Sequence, residues 1–210
     1  MENIVIVGYG GHGKSVADTI ERTGKYRIVG YTDVKKNQET DYMYLGTDDV
    51  LEAQFHEGVS CAIIGLGYMG NGQVRNKLYD KLKKIGYSLP AVIDPSAVIS
   101  ENAQVAEGTF VGKNAIINAY ACVGRNCIIN TGAIVEHECL VGDESHIAVG
   151  ASMCGQSKVG KFCFIGANAT IIQCISIGEN TIIGAGSTVI KDMPSKVVAV
   201  GNPAKVIKNV

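Results

Sequence analysis

The chain of 210 residues contains no Trp, only 4 Phe and 9 Tyr, and only 4 Pro. So few rings cannot fill a wide aromatic core. Scarce proline beside 26 Gly excludes both a collagen-like repeat and a proline-rich linker. Neither sign of charge dominates: 19 Lys and Arg stand against 20 Asp and Glu, 11 and 11 in residues 1–90, 8 and 9 in residues 91–210. Neither part has the basic field of a nucleic-acid binder. No apolar run approaches the roughly 18 residues of a membrane span, so membrane insertion is not expected. Met1–Gly8 reads as a short strand without the basic start of a signal peptide. The 7 cysteines are odd in number and contain no CxxC, which points to reduced thiols and a cytoplasmic setting.

What is abundant is aliphatic: 23 Val and 24 Ile. From Ile93 to Val189, every sixth residue is Val or Ile at 16 of 17 positions, Met153 being the exception. Two places before each stands a small residue, such as Ala97, Thr109, Ala115, Cys127, Ala133, Cys139, Ser145, Ala151 and Cys163; Ile175 is the exception. A period of six is neither the strand period nor the helix period. It fits short strands joined by corners, three to a triangular coil of 18 residues, with the aliphatic residue inside the prism. Five to six coils stacked at strand spacing make a rod of roughly 25 Å. Gly often follows the aliphatic residue (Gly112, Gly124, Gly142, Gly160, Gly166, Gly178, Gly184) and marks corners. Cys127, Cys139 and Cys163 are core fillers on this reading.

The first part is different. Ile4–Val7 reads as a buried strand, then a glycine loop Gly8–Gly13, a helix over Lys14–Thr23 and a strand over Arg27–Tyr31 ending at Asp33. A third strand covers Cys61–Gly65, and a helix covers Gln73–Ile85 with the stripe Val74, Leu78, Leu82 and Ile85. The βαβ order implies a parallel sheet flanked by helices. We place the boundary near Pro90: a Rossmann-like domain over 1–90 and a β-helix over 91–210. Gly8, Gly10 and Gly13 match GxGxxG, with Asp33 about 20 residues on, as in dinucleotide sites. With a second mononucleotide half missing, a nucleoside diphosphate fits better than NAD.

Of 4 histidines, His56 lies in a polar stretch and reads as solvated. His12 sits in the glycine loop. His137 falls at a corner between Glu136 and Glu138, and a carboxylate beside imidazole suits a general base. Steps of 18 stack Ala119, His137, Gly155 and Gln173, so the Gly155 amide is a candidate oxyanion donor. His146 lies half a coil away on another edge, so one subunit does not easily join it to His137. No HxxxH or CxxC spacing supports a metal.

Ile128–Cys139, with Gly142-Asp143, Ser145-His146, Val149-Gly150-Ala151 and Gly155 after it, resembles the bacterial sugar O-/N-acetyltransferases of the left-handed parallel β-helix class. That family includes sialic acid O-acetyltransferases and UDP-4-amino-sugar N-acetyltransferases of the bacillosamine pathway. Gly10-Gly11-His12-Gly13 and Gly201–Lys205 also match, and the likeness covers essentially the whole chain. The left hand of the helix comes from this resemblance. It implies acetyl-CoA as cosubstrate, a nucleotide sugar or sugar as acceptor, no metal, and a homotrimer with sites between subunits. It implies His137 as general base and Glu138 as its polarising partner. His146 and Gly155 would lie near the thioester, and Ala167 and Ala185 along the coenzyme groove. Asn130 would hold the sugar, while Gly10, Gly11, His12, Asp33 and Gly65 would hold the nucleotide. Two departures touch the nucleotide side: Asp33-Val34 where relatives often carry Asp-Asp, and Ile64–Gly70 where they often show Ile-Gly-Asn. An amine acceptor leads. A sugar hydroxyl, a nicotinamide dehydrogenase and a non-catalytic solenoid remain as alternatives.

Overall fold

The computed structural model describes residues 1–38, 40–68 and 72–210; Met69 and Gly70 of the departing stretch lie outside them. Strand β1 (Glu2–Val7) leads into α1 (Gly11–Thr23), β2 (Tyr26–Thr32) and β3 (Tyr44–Gly46). A 3-10 turn (Asp48–Val50), α2 (Leu51–His56), β4 (Cys61–Ile64) and α3 (Gln73–Ile85) follow. The sheet of this head runs β3-β2-β1-β4, all parallel. Its apolar residues fall on both faces, Ile4 and Ile6 toward α1, Val5 and Val7 toward Leu82 and Leu51. That is the continuous apolar pattern of a strand covered on both sides. Helix α1 begins earlier than the expected Lys14, because Gly11, His12 and Gly13 form its first turn. The α3 stripe also differs: Leu82 is buried, but Val74 is 55% exposed.

From β5 (Val92–Ile93) to β21 (Thr188–Val189) the described chain is a run of two-residue strands, one in each six residues. Strands three apart pair in parallel, giving three faces: β7-β10-β13-β16-β19, β6-β9-β12-β15-β18-β21, and β5-β8-β11-β14-β17-β20. The last face is extended by β22 (Val197–Gly201) and the antiparallel β23 (Ala204–Asn209), which fold over the end. Val111, Ile117, Ile129, Val135, Ile147, Met153 and Ile165 are wholly buried in the prism.

The small inward residues are more than fillers. Thr109 Oγ1 donates to Gly124 O and Ser145 Oγ to Gly160 O, each at 2.8 Å. The thiols of Cys127 and Cys163 donate in the same way to Gly142 O and Gly178 O. A short donor thus meets a corner carbonyl that the strand ladder leaves free. The glycines after the aliphatic residue do not supply left-handed corners. Those are Asn126, Glu138, Glu144, Gln156, Asn168 and their equivalents. The glycines permit close stacking instead: a Cβ at Gly142 would lie 2.6 Å from Gly160 C, and one at Gly178 2.4 Å from Ser195 N.

The head docks on the face that carries β8 (Phe110–Val111), β11 (Ile128–Ile129) and β14 (His146–Ile147). Phe110 and Ile128 pack with Val16, Ile20 and Tyr31. Asp94 receives Thr19 Oγ1 and Arg22 Nη1, both at 3.2 Å. Arg75 of α3 is 1% exposed; its Nη2 donates to Asn126 Oδ1 at 2.7 Å, and Asn126 Nδ2 donates to Glu144 Oε2 at 2.7 Å.

Candidate active site

Two places in the molecule carry chemistry. The first is a cavity of about 560 Å³ at the carboxyl ends of β1, β2 and β4. It is lined by Gly8, Gly10, Gly11, His12, Asp33 and Gly65, with Val34, Asp48, Leu66, Val74 and Leu78 completing the wall. The glycines divide the labour. A Cβ at Gly13 would lie 2.5 Å from Gly8 O and one at Gly65 2.2 Å from the same oxygen, so these two let α1 and β4 close on the loop. Nothing stands within 4 Å of a Cβ at Gly10 or Gly11, which open on the cavity. Gly10 caps α1 without a side-chain hydrogen bond, which leaves first-turn amides for an anion.

Asp33 lines the cavity and also ties the loop: its Oδ2 accepts the Tyr9 amide at 2.8 Å and its Oδ1 the Val34 amide at 2.7 Å. His12 sits edge-on to Phe110, with ring centroids 5.0 Å apart. Its Nε2 is buried and has no hydrogen-bond partner among the described residues. Burial, with Arg75 and His146 nearby, lowers its pKa to about 3, so the ring is neutral.

The second place is the corner after β12 (Ile134–Val135). Glu136 accepts the His137 amide at 3.1 Å, and Glu136 is itself held by Asn118 Nδ2 of the coil below. His137 Nδ1 faces Glu138 Oε2 at 3.2 Å. The left-handed backbone of Glu138, φ 59°, turns its side chain back along the corner. With a proton on Nδ1, Nε2 keeps its lone pair. Nε2 points over Gly155 of the next coil: a Cβ there would lie 2.4 Å away. Hydrogen bonding from Gln156, then from His137, holds the Glu138 carboxyl below its ordinary range. This is an imidazole with an exposed lone pair and a bare backbone beside it.

His146 and Asn130 lie elsewhere. His146 is 8% exposed on the covered face. Its Nδ1 donates to Tyr68 O at 2.9 Å and its Nε2 accepts from Asn130 Nδ2 at 3.1 Å. Burial lowers its pKa to about 4. The residue expected beside the coenzyme and the one expected beside the sugar are therefore bonded to each other. Within one chain this pair is separate from His137, as the half-coil offset predicts. Ala167 and Ala185 share a third column, one coil apart, where Gly186 N donates to Ala167 O at 2.8 Å.

Tyr68, Arg75, Asn126 and Glu144 are site-supporting residues that sequence reasoning missed. Tyr68 OH donates to Cys163 O at 2.7 Å and also to Glu144 O. No periodic signal marks them. Among the described residues no three His, Cys, Asp or Glu side chains converge as a metal set, and no helix is long and apolar enough to cross a membrane.

Residues 3–82 match the PglD N-terminal domain family, and residues 156–191 match the bacterial transferase hexapeptide family of six repeats. Head and prism together thus define a hexapeptide-repeat transferase with a PglD-type N-terminal domain. Over the whole chain the structure superposes on a histidine-to-alanine mutant of GDP-perosamine N-acetyl transferase from Caulobacter crescentus, in complex with CoA and GDP-perosamine. Identity is 32%, TM-score 0.93, and coverage 100% of this chain and 98% of that one. It also superposes on the acetyltransferase domain of PglB from Neisseria gonorrhoeae in complex with acetyl coenzyme A, at 29% identity, TM-score 0.91, and 98% and 99% coverage. UDP-N-acetylbacillosamine N-acetyltransferase of Bacillus subtilis is 34% identical over 112 residues; the match spans 53% of this chain and 51% of that protein, about half its length. The chain belongs to the sugar O-/N-acetyltransferase family of the left-handed parallel β-helix class.

Proposed function

We propose that the protein transfers an acetyl group from acetyl-CoA to the amine of a nucleotide-linked amino sugar. The observation that carries this reading is the corner: Glu138 on Nδ1 of His137, and Nε2 free over Gly155. Two of the relatives above are N-acetyltransferases by name, which favours an amine over a hydroxyl acceptor, and the third is an acetyl coenzyme A complex, which supports the donor.

An amine bound as ammonium has no lone pair, so it must lose a proton before attack. His137 Nε2 takes that proton, and Glu138 supports the imidazolium. The neutral amine then attacks the thioester carbonyl; a C–N bond forms, the C–S bond breaks, the proton held by His137 passes to the leaving thiolate, and the second proton shed by the new amide nitrogen leaves to solvent. The Gly155 backbone is positioned beside the developing oxyanion. Cys139, the cysteine next to Glu138, is buried in the prism and stays out of the path.

Residues 1–90 form the nucleotide-binding part on this reading, with the diphosphate at Gly10, Gly11 and the neutral His12, and the base among Asp33, Gly65 and the apolar wall. Residues 91–210 form the transfer part. Asn130, Ala167 and Ala185 complete the sugar and coenzyme surfaces against His137 of a neighbouring subunit in a homotrimer, and His146 supports them from beneath by holding Asn130. His137→Ala is expected to lower turnover by about 10²–10⁴, the scale of a general base, with an unchanged melting temperature. Thiol release from acetyl-CoA with nucleotide amino sugars measures it; near-wild-type turnover would remove His137 from the mechanism.

A further inference from the structure

The corner carries a relay that extends beyond His137 and Glu138. Gln156 lies one coil above Glu138, and Cys174 one coil above Gln156. All three residues are in the left-handed conformation, with φ of 59°, 61° and 62°. Their backbones stack in register, Gln156 N donating to His137 O at 2.9 Å and Cys174 N to Gly155 O at 3.0 Å. The side chains follow the same column. Gln156 Nε2 donates to Glu138 Oε2 at 3.0 Å, the same oxygen that faces His137 Nδ1. Cys174 Sγ donates to Gln156 Oε1 at 3.4 Å. The thiol occupies the acceptor end of the amide and so turns the donor end toward the carboxylate. Glu138 is therefore held from above and cannot swing away from the imidazole without breaking a charge-assisted bond.

We propose that Gln156 is a positioning residue for the transfer reaction. It fixes Glu138 against His137, and through it the tautomer that leaves Nε2 free. This rests on His137 being the general base. Nothing about Gln156 itself requires that role for folding, because its side chain is exposed and its backbone turn is of a kind that Gly132, Gly150 and Gly186 fill in other corners.

The titratable groups on the stacked corners are Glu101 and Tyr120 below, Glu136 and Glu138 beside His137, and Cys154, Cys174, Lys191 and Asp192 above. Among the described residues the ion pair of Glu138 is with His137. The balance around the imidazole is thus set by Glu136 and Glu138, and Gln156 decides how closely the second approaches.

Gln156→Gly removes the side chain and suits the left-handed corner; Gln156→Glu keeps the length but replaces the donor with a second negative charge. Expected for Gln156→Gly is a roughly 10-fold lower kcat, below the scale of a general base itself, with KM for acetyl-CoA unchanged. The acid limb of its kcat profile moves to lower pH, because the imidazolium loses a held carboxylate. In Gln156→Glu the acid limb moves to higher pH. A purely structural residue would change melting temperature without opposite shifts of the limb. Limbs that stay at the wild-type position in both variants, or move the same way, overturn the proposal. His137→Ala in the same assay separates the two levels. If it keeps turnover, the general-base reading fails; if it loses turnover while the Gln156 variants stay wild-type, only the role of Gln156 fails.

Discussion

His137 and His146 lie nine residues apart on one repeat, yet their surroundings are opposite. The side chain of His137 is 53% exposed at an open corner, with one nitrogen bonded and one free. His146 stands on a strand covered by the head, with both nitrogens bonded and Phe164 and Tyr68 against its ring. The prism alone would leave both on the outside, since inward positions belong to Val, Ile and small residues. What separates them is the head, which covers one face and leaves the corner after β12 open. A group that must exchange protons with a substrate needs the open setting. A buried neutral imidazole is a fixed hydrogen-bonding strut that joins Tyr68 of the head to Asn130 of the prism.

The comparison breaks most sharply if the covered side is not held rigidly. Arg75 is the test. Its guanidinium donates to Ile64 O, Leu66 O, Asn126 O and Asn126 Oδ1, so it joins the end of β4 to the prism. Arg75→Met fits the space but leaves four buried acceptors without that donor. We expect a loss of at least about 3 kcal/mol, since each buried acceptor left without a donor costs about 1–3 kcal/mol. Urea unfolding measures it. A loss under about 1 kcal/mol, the scale of an exposed pair, would mean that the seam is loose.

The open corner is tested next by Gly155→Ala. Gly155 needs no left-handed backbone, so the substitution strains nothing but the approach of the ring. The new Cβ would stand 2.4 Å from His137 Nε2 and 2.6 Å from Cε1, and the imidazole must turn away. Turnover should fall by about 10²-fold, as a misplacement near 1 Å does, with stability unchanged. A kcat within twofold of wild type would show that the ring does not work in this position.

The sequence made the repetitive part legible to the residue, because a six-residue step fixes which side chains enter the prism. Helix α3 was legible at both ends. What escaped was whatever depends on the two parts meeting. In Val74-Arg75-Asn76 the stripe marks Val74 as core and leaves Arg75 out of it. The structure reverses them, because the prism covers Arg75 and the cavity needs an apolar wall at Val74. Asn126 and Glu144 sit in the same register as the exposed Gln156 and Asn168, so their burial has no local signature. Strand β3 and α2 were missed because three and six residues are too few to show a period. At the site, spacing identified the His137–Gly155 stack and the half-coil offset of His146. It could not reveal that His146 and Asn130 are bonded to each other.

The smallest effect is the most specific to the seam. His12 and His146 have pKa values lowered by burial from 6.5 to about 3 and about 4, while burial raises Glu144 from 4.5 to about 7. As pH falls from 7 to 5, the unfolded chain takes up protons on both histidines and the folded chain does not. Each therefore loses about 2 kcal/mol of stabilisation at pH 5. Glu144 works the other way. The folded protein keeps it protonated up to about 7, whereas the unfolded chain ionises it above 4.5, so acidification from pH 7 to pH 5 relieves about 2 kcal/mol of penalty. The opposing slopes leave the wild type with a net loss of about 2 kcal/mol between pH 7 and pH 5. Glu144→Gln removes the relief and keeps an acceptor for Asn126 Nδ2. Its stability should then fall by about 4 kcal/mol over the same interval. Urea unfolding of both proteins at the two pH values reads the difference. Equal slopes would mean that the seam does not keep its histidines neutral and its carboxyl protonated, and the contrast with the open corner would lose its electrostatic basis.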